Sequence, residues 1–429
     1  MRQGTPPDPQ ECRWPPVSGP GCRVPGLRSQ VSGIQVSGIR NGRQETGDGA
    51  SHGPGTSHGR MGTHGIPWPV PISAPEASIT MQRPIRVAVI GCGMMGTLRA
   101  AAVRQTPETH LQVVCDAVAN RARTVATRYQ CNAHTDWRQV VQRDDVDLVI
   151  VSTPNHTHAE IAIAAMQWGK HVLCEKPLAR TVDECVQMVA CAHQHNVYLM
   201  VGMNHRYYPA VQRAHHWFTT GDIGQPLTFH GWIGHMMSPD PHKDWIVRSA
   251  QSGGGTLIDN GIHLIDLVRW HLGEIVAVQG AIATHRLPDP TCDEQAVAVL
   301  YTATGHWATI RSSWTAWRGY HFGYQVVGTR GMIEVRYPPM WAAMRYRKSG
   351  GERIYRKLAP FLRVQINEWL RSYRWTTVQT FIQEIRTMCR AIREGHPPHP
   401  DGRDGLQVLR IIEAIYTSAQ TRQTVTIDT

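Results

Sequence analysis

No hydrophobic run in this sequence approaches the ~20 residues that a membrane-spanning helix requires, so none is expected. No compact apolar stretch follows a basic start, and no twin-arginine pair stands there. No export signal is therefore expected, and a cytoplasmic protein is. The ten cysteines form no CxxC pair and no regular spacing. That excludes a disulfide framework and a cysteine zinc cluster, and it leaves reduced, mostly buried thiols with no metal. Acidic residues are scarce in one stretch only. Residues 340–393 hold 12 Lys/Arg against 3 Glu, a net of +9 within a chain total of +11. Such a patch attracts nucleic acid, an anionic membrane or a phosphorylated substrate. Nothing in it matches a nucleic-acid-binding fold, so a solvated face on an inserted helix is preferred. Neither a nucleic-acid nor a membrane partner is expected.

What is present changes character near residue 83. Residues 1–82 are rich in Gly, Pro, Ser and His, with near-repeats such as VSGIQVSGIR. This composition buries too little apolar surface to offset its ordering entropy, so a disordered tail is expected. His52, His58 and His64 stand in Gly-rich spacing that imposes no metal geometry, and they read as solvated.

From Ile85 the chain alternates. IRVAVIG, LQVVCD, DLVIVST, HVLCEKP and VYLMVGMN read as short buried strands. Helical patterns lie between them, at 94–105, 120–129, 158–168 and 182–195. That rhythm implies βαβ crossovers and a doubly wound parallel sheet over 83–204. After Tyr207 the rhythm becomes period-two alternation with Gly turns, in PLTFHGWIGHM, AVQGAIATH, EQAVAVLYTATGHWATIRSSW and YQVVGTRGMIEV. A mostly antiparallel α+β unit over 205–429 follows, with a basic insertion at about 338–375. Its open face is expected to carry Trp232, Tyr301, Trp307, Trp314 and Trp317 and to be covered by association.

GCGMMG, from Gly91 to Gly96, fits G-x-G-x-x-G directly after a strand and at the start of a helix. In that context the pattern is a dinucleotide-binding fingerprint. Gly91 allows the tight turn, Gly93 lets the backbone approach a pyrophosphate, and Gly96 lets the helix pack on the strand. Met94 and Met95 supply first-turn N–H groups to the anion. Asp116 ends the second strand, twenty residues beyond Gly96. A carboxylate there bonds ribose hydroxyls and repels a 2′-phosphate, which favours NAD. The alternative for Asp116 is a helix cap. Arg121 and Arg123 lie nearby, so NADP stays open.

STPNHTH at 152–158, GKHVLCEKPLA at 169–179, NHRYYP at 204–209 and SGGGTLIDNGIH at 252–263 follow in order. Together with the closing DGLQVLRIIEAIYTSAQTRQTVTI, they resemble the Gfo/Idh/MocA oxidoreductases, the glucose–fructose oxidoreductase and inositol dehydrogenase group. The resemblance implies a Rossmann domain, a substrate domain, a nicotinamide cofactor and a sugar, inositol or nucleotide-sugar substrate. It implies that Thr153, Pro154, Asn155 and His158 lie beside the nicotinamide half, and that Glu175 meets the nicotinamide ribose. It assigns Lys176 to the active site. It suggests Arg206 and Tyr207 for the substrate cleft or for bracing Lys176, and pairing of sheets into a homodimer or homotetramer.

Oxidising a secondary alcohol requires a group that takes the hydroxyl proton as hydride leaves. An ammonium in a partly apolar cleft beside a nicotinamide cation gives up its proton more readily, which suits Lys176. A solvated lysine paired with Glu175 is the alternative. Asp259 and His263 are spaced i, i+4 and converge if a helix starts near Asn260. His263 suits acid–base work near neutrality. Asp259 orients it, binds substrate hydroxyls or caps the helix. Asp266 is placed to hold the other ring nitrogen. Trp245 either stacks on a sugar face or packs in the core. The residues leave open whether Lys176 or His263 carries the proton. They also leave two other readings: an NAD-dependent glycoside hydrolase of the same fold, and a non-enzymatic dinucleotide-binding regulator.

Overall fold

The computed structural model describes residues 83–237, 241–317 and 319–427. The expected tail and its histidines His52, His58 and His64 lie outside the described residues.

Six strands form the first sheet: β1 (Ile85–Ile90), β2 (Thr109–Cys115), β3 (Asn132–His134), β4 (Leu148–Val151), β5 (His171–Glu175) and β6 (Leu199–Gly202). Their order is β3-β2-β1-β4-β5-β6, and every pair is parallel. Val87, Val89, Leu148, Ile150 and Leu173 are buried because helices cover the sheet. These are α1 (Met94–Gln105), α2 (Ala119–Tyr129), α3 (Trp137–Val141), α4 (His158–Gln167) and α5 (Val182–Gln194). The strand order reverses between β1 and β4. The crevice at the carboxyl ends of those strands is the ligand position in such sheets.

The second sheet begins after α6 (Pro209–Thr219), whose proline suits the first helical turn. It holds β7 (Pro226–Gly234), β8 (Ile275–Ala283), β9 (Gln295–Thr302), β10 (Trp307–Ser313), β11 (His321–Gly328) and β12 (Gly331–Tyr337). β13 (Trp341–Arg347), β14 (Ile354–Ala359) and β15 (Val425–Thr426) complete it. The order is β14-β13-β12-β11-β7-β10-β9-β8-β15, antiparallel except where β7 meets β10. β9 shows the period-two logic: Ala296, Ala298 and Leu300 point to the core, while Val297 and Tyr301 face out. The short α7 (Ser249–Ser252) and then α8 (Ile262–Leu272) interrupt the strands. The chain closes through α9 (Leu362–Arg371), α10 (Arg374–Glu394) and α11 (Gly402–Thr421). Asp401 caps α11 by accepting from the N–H groups of Arg403 and Asp404.

Three expectations are corrected. The stretch 338–375 is not a helical insertion alone. It extends the sheet by the β13–β14 hairpin before α9 begins, because Ala342 and Met344 alternate inward. α10 packs on the first sheet's side of the molecule, although it lies far along the chain. Its Phe381, Ile385 and Met388 join the core of Val87, Val89 and Ala100. Trp314 is fully buried rather than part of an open face, because seven residues after the exposed Trp307 it has the parity of the inward Ala308, Ile310 and Ser312. Trp307, Tyr301 and Trp317 are exposed, and Trp232 is half-buried beneath the Arg336 guanidinium.

Burial holds several histidines neutral. Desolvation pushes His171 down to about 4, and His205 and His271 down to about 3. His263 falls well below its ordinary value for the same reason. The unfolded chain protonates these rings below pH ~6.5, whereas the folded chain does not. Their contribution is therefore present above pH ~6.5 and lost as pH falls, about 1.4 kcal/mol per ring and pH unit. Glu384, raised by burial to about 7, works in the opposite direction between its unfolded and folded values. Burial lowers His156, His158 and His215 as well, so seven rings outnumber the raised carboxyls of Glu384, Asp266, Asp293 and Asp401 and the raised His399, and a net loss is expected. Calorimetry is expected to show Tm falling steeply between pH 6.5 and 5; a flat profile there would contradict the buried neutral histidines.

Candidate active site

The glycine loop joins β1 to α1, and each glycine meets a different constraint. Gly91 has φ +95°, and a Cβ on it would lie 2.4 Å from the Ser152 carbonyl oxygen. A Cβ on Gly96 would lie 1.7 Å from the Gly91 carbonyl oxygen. A Cβ on Gly93 would meet nothing within 4 Å. The first two glycines serve the fold; the third borders open space. Gly93 is the residue before α1, and no side chain caps the helix there. The first-turn N–H groups at Met94 and Met95 are thus left for an anion. A dinucleotide pyrophosphate fits this cradle.

Asp116 does two things at once. Its Oδ2 accepts from the Cys92 N–H and its Oδ1 from the Val118 N–H, both at 2.8 Å. The carboxylate therefore pins the glycine loop and starts the turn into α2. It remains half-buried, with lone pairs left for a ribose. Beside the loop, a 180 Å³ cavity is lined by Cys92, Thr97, Asn120, Arg121 and Arg128.

Lys176 follows β5 directly. Its Nζ donates to Asp259 Oδ1 at 2.8 Å and to the Asp259 carbonyl oxygen at 2.6 Å. Burial alone would raise the Asp259 carboxyl, but the Lys176 ammonium outweighs it and the net shift is downward. His235 and Trp314 pull in the same direction. Asp259 stands in a π-helical turn, Leu257–Gly261, that runs into α8. It is therefore not an N-cap. Such turns re-aim side chains and recur at functional sites. The turn is anchored by buried Asp293, whose carboxylate accepts from the Gly255 and Leu257 N–H groups and from the Tyr416 hydroxyl.

His263 lies one turn further, buried, with its ring 3.7 Å from that of His205 and nearly parallel. Desolvation, then the charges of His205 and Lys176, hold its pKa far down, so it is a neutral ring. Its Nδ1 has no partner among the described residues. Asp266 does not hold it: both Asp266 oxygens accept from the Arg206 guanidinium, at 2.8 and 2.6 Å. A buried guanidinium attracts a carboxylate more strongly than a neutral imidazole does.

The other expected residues divide. Asn155 is buried and donates to the Ser252 carbonyl, tying the β4 edge to the glycine-rich turn before Asp259. His158 is buried, its ring nitrogens 2.9 Å from the carbonyl oxygens of Pro177 and Thr153. It braces the loop that carries Lys176. Thr153 accepts a hydroxyl bond from Thr157, and Pro154 offers its carbonyl to the same group. Glu175 is buried against Arg99. The Tyr207 hydroxyl donates to Thr387 and to the His399 carbonyl. Arg206 and Tyr207 line a separate 360 Å³ cavity with Trp270, Arg390, His396 and His399. They do not join the Lys176 cluster. Trp245 is half-buried in a short 3-10 turn, Pro241–Val247.

Sequence reasoning missed His205, Trp314, Arg99, Glu384 and Asp293. A signal existed for two of them: Arg99 and Glu384 are charges set among apolar residues on buried helix faces. Among the described residues, no group of three or more His, Cys, Asp or Glu could hold a metal.

Residues 85–203 match the GFO_IDH_MocA profile, described as an oxidoreductase family with an NAD-binding Rossmann fold. Residues 211–334 match the GFO/IDH/MocA C-terminal domain. The levoglucosan dehydrogenase of Pseudarthrobacter phenanthrenivorans is 29% identical over 385 residues, covering 78% of this chain and 96% of that protein. The inositol 2-dehydrogenase of Salmonella agona is 31% identical over 263 residues, covering 58% and 74%. Among solved structures, a levoglucosan dehydrogenase complex with NADH superposes with a TM-score of 0.73 at 29% identity, covering 81% of this chain and 100% of that one.

The glycine geometry separates ligand binding from folding. Gly93→Ala is expected to weaken NAD binding roughly tenfold, because the open space is filled where the backbone meets the pyrophosphate. Its Tm should stay within a degree or two. Gly96→Ala is expected to cost about 1–3 kcal/mol of stability from the backbone clash. Titration of nicotinamide fluorescence and thermal melts check both; equal NAD affinity in Gly93→Ala and the parent would remove the cradle argument.

Proposed function

The chain belongs to the Gfo/Idh/MocA oxidoreductase family, and from that premise we propose that it moves a hydride between NAD and a secondary alcohol carbon of a sugar or inositol ring. Lys176 is the proton-transfer residue. The observation that carries this reading is the clamp of Lys176 on Asp259, at the same sheet edge as the open Gly93 cradle.

NAD, when bound, accepts the hydride. The residues of the chain handle the proton. A substrate hydroxyl that approaches Lys176 exchanges with one of its two bonds to Asp259. In the oxidative direction Lys176 first gives one ammonium proton to solvent, and the neutral amine then takes the hydroxyl proton as the hydride leaves; in reduction the ammonium gives its proton to the carbonyl oxygen and is reprotonated from solvent. Asp259 stays ionised and offsets the charge on Lys176 whenever the amine is protonated. His263 is neutral and buried, so it serves as a hydrogen-bonding group to a substrate hydroxyl rather than as the proton store. This choice between Lys176 and His263 follows from burial. Asp116 supports NAD over NADP through its remaining lone pairs. The substrates of the similar dehydrogenases, levoglucosan and inositol, define the class to test first. No specific observation favours the glycosidase or regulator readings.

The outward face of the second sheet supports association. Tyr301 and Trp307 stand directly opposite across β9 and β10, with Val297 exposed on the same face. We infer a homodimer or homotetramer that covers it. The eight described cysteines are unpaired, and burial pushes the Cys92 and Cys115 thiols up to about 12. That supports residence in a reducing compartment such as the cytoplasm. No helix among the described residues is long and apolar enough to cross a membrane.

Lys176→Ala is expected to lower kcat by about a thousandfold while NAD still binds. Absorbance at 340 nm with NAD and a panel of levoglucosan, inositols and sugars tests this. Tight NAD binding with free sugar released from glycosides, and no net NADH, would favour the hydrolase. Sedimentation equilibrium is expected to give at least twice the monomer mass; a lone monomer at micromolar concentration would refute the pairing.

A further inference from the structure

Behind the Lys176 cluster lies a buried group of three charges that no step above uses. Arg99 is fully buried on α1, one turn after the glycine loop. Its Nε donates to Glu175 Oε1 at 2.7 Å, and its Nη1 donates to Glu384 Oε2 on α10 at 2.5 Å. Glu384 is fully buried and Glu175 nearly so. The guanidinium lies 3.6 Å over the Phe381 ring. Its Nη2 and Glu384 Oε1 have no partner among the described residues. A Cβ on Gly202 would come within 2.6 Å of Nη2, so the end of β6 walls the guanidinium in.

A buried ionic group is weak support for stability, because desolvation of each charge opposes the attraction. Here two carboxylates share one guanidinium, which leaves an excess negative charge. The location is informative. Glu175 is the residue before Lys176, and its Oε2 accepts the Lys176 backbone N–H at 3.3 Å. Arg99 belongs to the helix whose first turn forms the cofactor cradle. The cofactor helix, the lysine loop and α10 thus meet at one guanidinium.

We propose that Arg99 and Glu384 are positioning residues for the reaction: they fix Glu175, and with it the backbone of Lys176, relative to the first turn of α1. This rests on the reading of Lys176 as the proton-transfer residue. Neither side chain can touch substrate, since both are fully buried. Their effect is on the distance between the amine and the cofactor cradle. Reacting groups tolerate little displacement, and a shift of about 1 Å costs on the order of a hundredfold in rate.

The arrangement also makes turnover sensitive to pH. Burial raises Glu384 to about 7, against the pull of Arg99, and the carboxylates of Glu175 and Asp266 push the same way. Tyr207, from the turn before α6, also faces it. Protonation removes half of the ionic hold on Arg99. The acidic limb of kcat therefore contains a component near neutrality that belongs to Glu384.

The test uses the full chain with NAD and the substrate found in the panel. Glu384→Gln is expected to bind NAD within about twofold of the parent, keep KM within about threefold and lose roughly thirtyfold in kcat. Its kcat profile should lose the component near pH 7, and Glu384→Asp should recover part of the rate. Ile385→Ala, on the same buried face of α10, should lower Tm while leaving kcat within about twofold, which separates destabilisation from positioning. Should Glu384→Gln fail to fold, Arg99→Lys carries the same expectations. A second readout needs no turnover. The chain has five lysines, so reductive methylation with labelled carbon gives few signals, and Lys176 is identified by its loss in Lys176→Arg. That signal is expected to be single in the parent and broadened or doubled in Glu384→Gln. An unchanged Lys176 signal, with kcat and pH profile unchanged and only Tm lowered, overturns the proposal. If Lys176→Ala abolishes turnover while Glu384→Gln does not reduce it, the proposal fails and Lys176 keeps its role. Turnover that survives Lys176→Ala overturns both.

Discussion

The ammonium of Lys176 is held twice by one residue, through the carboxylate and the carbonyl oxygen of Asp259. Much else in the structure serves that contact. Lys176 comes from the end of a parallel strand, and Asp259 comes from a π-helical turn some eighty residues later. Both must be aimed before they can meet. His158 braces the lysine loop between two carbonyl oxygens. Asp293 and Tyr416 hold the glycine-rich segment that presents Asp259. Asn155 links the two sides through the Ser252 carbonyl. The result is an ion pair with enough exposure to admit a hydroxyl and enough burial to make its charges count.

A second constraint is the crowding around the glycine loop. The loop has room on one side only. Gly91 and Gly96 are pressed against backbone, whereas Gly93 borders open space. An anion binds where N–H groups are unsatisfied and no side chain intrudes, and this loop offers both conditions. Asp116 keeps the loop in shape with one oxygen and starts the next turn with the other. Asp116 does not cap α2, whose N-cap is Val118 with no side-chain cap, so its carboxylate keeps lone pairs for a ribose. α10 then closes the outside of α1, which explains how a helix so late in the chain comes to share a core with the first strand.

Much of this was legible in the sequence because it is periodic or local. The strands from Ile85 to Gly202 announce themselves through β-branched runs between helical stretches. G-x-G-x-x-G gains its meaning from the strand before it and the helix after it. Asp259 and His263 stand out by their spacing, and Lys176 by the motif that carries the family resemblance. What escaped was long-range. β13 and β14 hide among arginines and tyrosines, because an edge hairpin needs few apolar residues. Trp314 shares the inward parity of Ala308 and Ile310, opposite to Trp307, and so belongs to the core. Asp266 and Arg206 each had a local role to offer, yet they chose each other across the fold. Arg99, Glu175 and Glu384 are separated by up to 285 residues. No pattern in one sequence links them, only the oddity of charges on buried faces.

The central claim is direct hydride transfer from a substrate carbon to the nicotinamide, with the proton handled at Lys176. Substrate deuterated at the reacting C–H, drawn from levoglucosan or an inositol, tests this most directly. Mass spectrometry of both products after turnover with NAD is the measurement. The account expects the deuterium on the reduced nicotinamide, together with a primary isotope effect on kcat. Deuterium that stays in the sugar product, or is lost to water, would contradict it.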